Sequence, residues 1–220
     1  MPNIPLIATI DLGDDFPSQF KKNILKEINN KISSVLPVAV RHIKEKLGES
    51  VRVRIMSSPE YAAIAGGRFR GELGLPDGAT RIHAIVERWA ESISVTYRKG
   101  TGVSLGSIEI GILQADWEDV LAMGEAVLNY SSRKGSKSLE WLRWLLKEGN
   151  AVIVSQYDFT SKSATTSRTG LGIMVKKRGG GWKVPSQYAG TEGDNFATRA
   201  LADIASDIDI VVRRELTKVM

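Results

Sequence analysis

Phe16, Phe20, Ile24, Ile28, Ile32, Val35, Val40, Ile43 and Leu47 recur at mostly three- or four-residue steps, with Lys21, Lys22, Lys26, Lys31, Lys44 and Lys46 between them. That period is the apolar face of a long amphipathic helix, whereas a half-buried strand would repeat every second residue. Pro37 interrupts the pattern by removing an N–H and crowding the preceding turn, so the expectation is a kink or two helices meeting near residues 35–36. Gly48 is the expected stop.

The rest of the chain reads as shorter pieces. Residues 5–12 suit a strand closed by Gly13-Asp14-Asp15, and Val51, Val53 and Ile55 alternate with Arg52 and Arg54 as in a half-exposed strand or a short extended connector. Ser58 and Pro59 predict a capped helical turn over 58–65, broken at Gly66-Gly67. Residues 71–77 read as irregular, and Ile82, Ile85, Val86 and Trp89 as another helical face. Strands are predicted over 92–99 and 107–113, a brief helix over 116–121 and an extended piece over 126–130. Ser138 is the expected cap of a helix over 139–147 that stops at Gly149. A buried strand over 151–157 and a polar surface loop over 160–169 follow. Then comes a hairpin in which 172–177 and 182–184 flank the turn Gly179-Gly180-Gly181. Phe196, Ala200, Ile204, Ile208, Val211 or Val212, and Leu216 define a terminal helix capped by Asp194 or Asn195. The order is α+β: long N-terminal and C-terminal helices packed around a small, mainly antiparallel β-sheet, in a single domain over 1–220 with a flexible basic loop and hairpin at about 160–184.

Composition bounds the chemistry. Of the 220 residues, 42% are hydrophobic and 25% charged, which is the balance of a soluble globular chain. Cysteine is absent, so disulfides, thiolate metal sites and cysteine nucleophiles are excluded. No basic run precedes the apolar N-terminal stretch and no apolar run reaches membrane-spanning length, so neither export by a signal peptide nor membrane insertion is expected.

The two histidines, His42 and His83, lie in helical patterns with no partner at ligand spacing. Residues 100–106 are glycine-spaced but match neither the dinucleotide fingerprint nor the P-loop, and no Gly-x-Ser-x-Gly elbow occurs. Asp116, Glu118 and Asp119 do not have the spacing of a calcium loop and read as a solvated first turn. No catalytic, metal or cofactor site is expected.

The formal net charge of +5 has a local origin: residues 161–183 carry Lys162, Arg168, Lys176, Lys177, Arg178 and Lys183 and no acidic side chain. Such a stretch can face phosphates, meet an acidic neighbouring subunit, or keep a hairpin edge from pairing with other edges. Only Trp182 is present there as a stacking surface.

In the last third, Ser138-Leu139-Glu140-Trp141-Leu142-Arg143-Trp144-Leu145-Leu146-Lys147-Glu148-Gly149, Ser167-Arg168-Thr169-Gly170, Trp182-Lys183-Val184-Pro185 and Asp194-Asn195-Phe196 leading to Arg199-Ala200 follow one another. Together with the weaker Gly71-Glu72-Leu73-Gly74-Leu75-Pro76-Asp77, this order resembles the neck and tail-completion proteins of tailed bacteriophages. The chain departs from compact relatives in placing Arg199, where they have proline, before Ala200 and in its greater length over 100–130. The resemblance implies a non-enzymatic virion structural protein at the head-to-tail junction, assembled in the host cytoplasm as a ring of six or twelve copies. Its neighbours would be the portal or connector and the tail tube or tail terminator, with transient contact to passing genomic DNA. The rival reading is a sequence-independent nucleic-acid-binding protein that works through the basic hairpin at 161–183.

Overall fold

The computed structural model describes residues 4–7, 18–101, 106–112, 117–132, 135–149, 152–161 and 167–219. Its architecture is α+β, with a long first helix, a long closing helix and short antiparallel strands. Among the described residues the strands form three separate small sheets, one of three strands and two of two. The chain divides into two compact units, residues 1–50, 90–113 and 204–220 in one, and 51–89 and 114–203 in the other.

Helix α1 runs Ser18–Met56 without a break at Gly48. Pro37 lies inside it and is exposed. The expected strand over 51–56 is therefore the last turns of this helix. Ile43, Leu47, Val51 and Ile55 repeat at four-residue steps and are fully buried, while Val53 is 60% exposed. A strand would have put Val51, Val53 and Ile55 on one face; the exposed valine is the sign of a helical period.

In the first unit, β1 (Ile4–Ile7), β2 (Ser94–Arg98) and β3 (Ser107–Gly111) form a sheet of order β1-β3-β2, antiparallel throughout. The unit's buried side chains include Leu36, Ala39, Ile43 and Leu47 of α1, Ile108 and Ile110 of β3, and Ile208, Val211 and Val212 of α8 (Ile204–Val219). Glu215 of α8 is 2% exposed and takes hydrogen bonds from Lys218 Nζ at 2.7 Å and Arg214 Nε at 3.3 Å, with His42 Nδ1 at 3.8 Å. The Lys218 bond holds its carboxyl below the usual glutamate range, and burial opposes that shift.

In the second unit, α2 (Pro59–Ala65) begins as expected, with Ser58 Oγ accepting from Tyr61 N–H at 3.1 Å. Helix α3 (Arg68–Leu73) takes up the start of the stretch expected to be irregular. It ends in a Schellman turn, with Gly74 left-handed at φ 71 and the Leu75 N–H donating to Arg70 C=O. Helix α4 (Gly78–Glu91) is followed later by α5 (Glu118–Leu121) and a 3-10 turn, Gly124–Ala126. Trp89 of α4 meets Trp117 edge-on at 5.9 Å and Phe196 at 5.6 Å, and these rings centre the core. Arg81 Nη1 donates to the carbonyls of Gly124, Glu125 and Val127, and Trp141 Nε1 to that of Glu125.

Leu139 and Ser138 belong to β5 (Gly135–Leu139), paired with β4 (Leu128–Ser132), so Ser138 is not the helix cap expected of it. Helix α6 is the shorter Trp141–Leu146, with Glu140 before it. The terminal helix is two helices, α7 (Phe196–Ala200) and α8. Asn195, the second of the two candidate caps, forms a capping box: its Oδ1 accepts from Ala197 N and Thr198 N, and Thr198 Oγ1 accepts from Asn195 N. Its Nδ2 donates to Leu146 C=O and Thr191 C=O.

Asn195→Ala is expected to cost about 2 to 3 kcal/mol in denaturant unfolding, since it removes a cap and strands buried donors and acceptors. Asn195→Asp keeps the acceptor, loses both donors and should recover only part of that. For Glu215 the folded pKa lies below the unfolded one, so its contribution is present above the ordinary value of about 4.3 and fades as the pH falls further. Glu215→Gln should therefore flatten the acid limb of a stability curve measured by urea unfolding, converging with the parent at the lowest pH.

Candidate interaction surface

Strands β6 (Val152–Thr160) and β7 (Ile173–Lys183) form one antiparallel hairpin whose connection is residues 161–172. The expected hairpin across Gly179-Gly180-Gly181 is not formed: Lys176 and the residues before it pair with β6, and so do Gly181, Trp182 and Lys183. Between the pairs Ser155↔Gly181 and Tyr157↔Lys176, β6 advances by Gln156 alone, whereas β7 spends Lys177, Arg178, Gly179 and Gly180. Positive φ at Gly179 and Gly180, 77 and 75, lets this excess turn back tightly. The middle of the hairpin, residues 155–158 and 175–180, is exposed, so β6 is not the buried strand expected from its apolar start.

An open cavity of about 400 Å³ lies beside this hairpin, between it, α3, α6 and the β4–β5 hairpin. Tyr130, Trp144, Tyr157 and Trp182 line it. Trp182 meets Trp144 edge-on at 6.4 Å, and its Nε1 donates to Glu72 Oε2 at 3.3 Å. Glu72 Oε1 is held by Arg68 Nε at 2.9 Å, so this carboxylate in the cavity wall is already paired. Glycine is required where Gly71 passes the connection of the hairpin: a Cβ there would lie 2.7 Å from Leu171 Cβ.

The six basic residues of 161–183 take different places. Arg168 is tied down: its Nε donates to Gly74 C=O at 3.1 Å and its guanidinium lies 4.6 Å from the Tyr130 ring centroid. Lys177 pairs with Asp158 at 2.9 Å, and this lysine holds the aspartate carboxyl below its usual range. Lys176, Arg178 and Lys183 are exposed, and no carboxylate among the described residues pairs with them. Lys162 lies outside the described residues.

No apolar periodicity marks β5 in the sequence. Residues 131–138, Ser-Ser-Arg-Lys-Gly-Ser-Lys-Ser, have the same polar and basic character as 160–169, and that composition is the only local signal of the second hairpin. Lys137 is exposed opposite Tyr130 in the β4–β5 register. Two basic hairpins thus flank an aromatic cavity, and the rings missing from the charged stretch itself come from β4, α6 and β6.

The other residues singled out in the sequence are not gathered here. His42 stands beside Glu215, and His83 is 3.9 Å from Glu87. Glu118 pairs with Lys147, whose pKa it raises by hydrogen bonding, and Asp116 lies outside the described residues. Among the described residues no group of three or more histidine, aspartate and glutamate side chains is placed to hold a metal ion, and no helix is long and apolar enough to cross a membrane.

No family model, curated protein or solved structure significantly matches this chain.

Gly74 carries a testable consequence of this geometry. At φ 71, and with a built Cβ 2.7 Å from Arg168 Nη2, Gly74→Ala is expected to cost about 1 to 2 kcal/mol by thermal melting and to displace Arg168 from Tyr130. Gly74→Asn, which tolerates the left-handed region better, should melt higher than the alanine variant.

Proposed function

We propose that the chain is a non-enzymatic structural subunit of the head-to-tail junction of a tailed bacteriophage, a neck or tail-completion protein that joins the portal or connector to the tail as a ring of six or twelve copies. The observation that carries this reading is the openness of the second unit's sheets: among the described residues, β4, β5, β6 and β7 each pair with a single strand. A two-stranded ribbon with unpaired edges is marginal in water and invites pairing with other chains. Such ribbons suit a part completed by its neighbours in a closed ring.

The order of motifs supports the same reading. Trp141 bonds a turn carbonyl, the Ser167-Arg168-Thr169-Gly170 stretch meets α3, Trp182 closes the cavity, and Asn195 caps the helix that Phe196 enters. All these residues lie in the second unit.

Imaging of purified phage particles tests the proposal. The expected result is density for this chain in the neck, in a ring of six or twelve, with DNA-filled heads lacking tails when the chain is withheld. Its absence from purified particles, or a location elsewhere in the virion, would overturn the reading.

A further inference from the structure

We propose that the aromatic cavity between the β4–β5 and β6–β7 hairpins is a binding site for single-stranded polynucleotide, with a base stacked in the cavity and phosphates on the hairpin lysines and Arg178. The carrying observation is a repeated pairing. Tyr130 lies directly across from Lys137 on β4–β5, and Tyr157 directly across from Lys176 on β6–β7. Directly opposed residues of an antiparallel pair project from the same face, so each hairpin presents a ring and a cation side by side. Both tyrosines line the cavity, and Trp144 lies between them in the chain as a third, half-buried ring.

The chemistry of that arrangement is selective. Rings alternating with unpaired cations are what a single strand requires, because each nucleotide offers one aromatic face and one negative charge. A duplex keeps its bases stacked on one another and offers only phosphates. An acidic peptide would use the cations and leave the rings idle. The volume, about 400 Å³, is at the lower end of small-ligand pockets and suits one nucleotide rather than a run of them. Local acids do not oppose the charge, since Glu72 is held by Arg68 and Asp158 by Lys177. Arg168 already lies over one face of Tyr130, 4.6 Å from its centroid, so the exposed ring of Tyr157 is the one left to stack on a base, with the Arg168 charge beside the cavity.

The test is a titration of the full chain with a short oligodeoxythymidine, a duplex of equal length and polyglutamate, read by tryptophan fluorescence. Quenching by the single strand is expected, with affinity that falls as salt is raised and exceeds that for the duplex. Tyr157, 40% exposed, can be truncated without opening the core, and Tyr157→Ala should weaken oligodeoxythymidine binding about five- to hundredfold with an unchanged melting curve. The double substitution Lys176→Gln, Arg178→Gln should reduce the slope of log affinity against log salt by about 0.7 for each phosphate no longer neutralised. No binding of the single strand, equal binding of duplex or polyglutamate, or an unchanged affinity in Tyr157→Ala would each overturn the proposal. None of these results bears on the assembly role, which particle imaging decides separately.

Discussion

The second unit depends on one buried amide. Asn195 is fully buried, and a side chain of that polarity is tolerated there only because both of its ends are used. Its oxygen takes the first free N–H groups of α7, and its nitrogen reaches the Leu146 carbonyl at the end of α6 and the Thr191 carbonyl in the approaching loop. The next residue, Phe196, then meets Trp89, which meets Trp117 in turn. One residue thus fixes where α7 starts, where α6 ends and which ring enters the core. Gly149 and Gly190 complete the junction: their backbones bond at 3.0 Å, and a Cβ on Gly149 would run into the Gly190 backbone nitrogen. At this corner residue size is constrained as tightly as polarity.

What could be read from the sequence followed the strength of each periodic signal. α4, β2 and β3 lie where apolar spacing put them, α1 follows its spacing but runs on as one helix past Pro37 and Gly48, and the Ser58-Pro59 start of α2 is a local motif that needs no tertiary information. The failures have two physical causes. At residues 51–56, Val, Arg and Ile in alternation satisfy both a strand and a helix, and only the continuation of the Ile43, Leu47 series across Gly48 distinguishes them. At 173–183 the glycine run has the chemistry of a hairpin turn, yet it forms a bulge within one strand, β7, and joins no two strands. The partner strand, β6, is distant in sequence, and strand partners are not written in local spacing. The candidate site was half legible for the same reason. Most of its charges are contiguous in 161–183, whereas Lys137, Tyr130, Trp144 and Tyr157 join them only through tertiary packing.

Apart from Lys177, which pairs with Asp158, the lysines and Arg178 of the two hairpins differ in kind from the charges of the helices. On α1, α4 and α8, cations pair with carboxylates one turn away, as Lys46 does with Glu49, Arg81 with Asp77 and Arg213 with Asp209. Pairs of that sort are worth a few tenths of a kcal/mol and mainly keep a helix face soluble. On the hairpins Lys137, Lys176, Arg178 and Lys183 have no such partner among the described residues. Their field is not cancelled locally, so it is available to whatever approaches.

Guarding an open strand edge would by itself account for exposed lysines, because a charge on an edge strand discourages pairing with another chain. That explanation requires no particular residue across the ladder from each lysine, and a serine or threonine would serve. Two of these lysines instead stand opposite tyrosines, and both tyrosines line one cavity whose other rings are tryptophans. Leaving aromatic rings partly wet costs free energy that packing them inward would have recovered. The ring-and-cation pairing is therefore better explained by a ligand that needs both than by solubility alone.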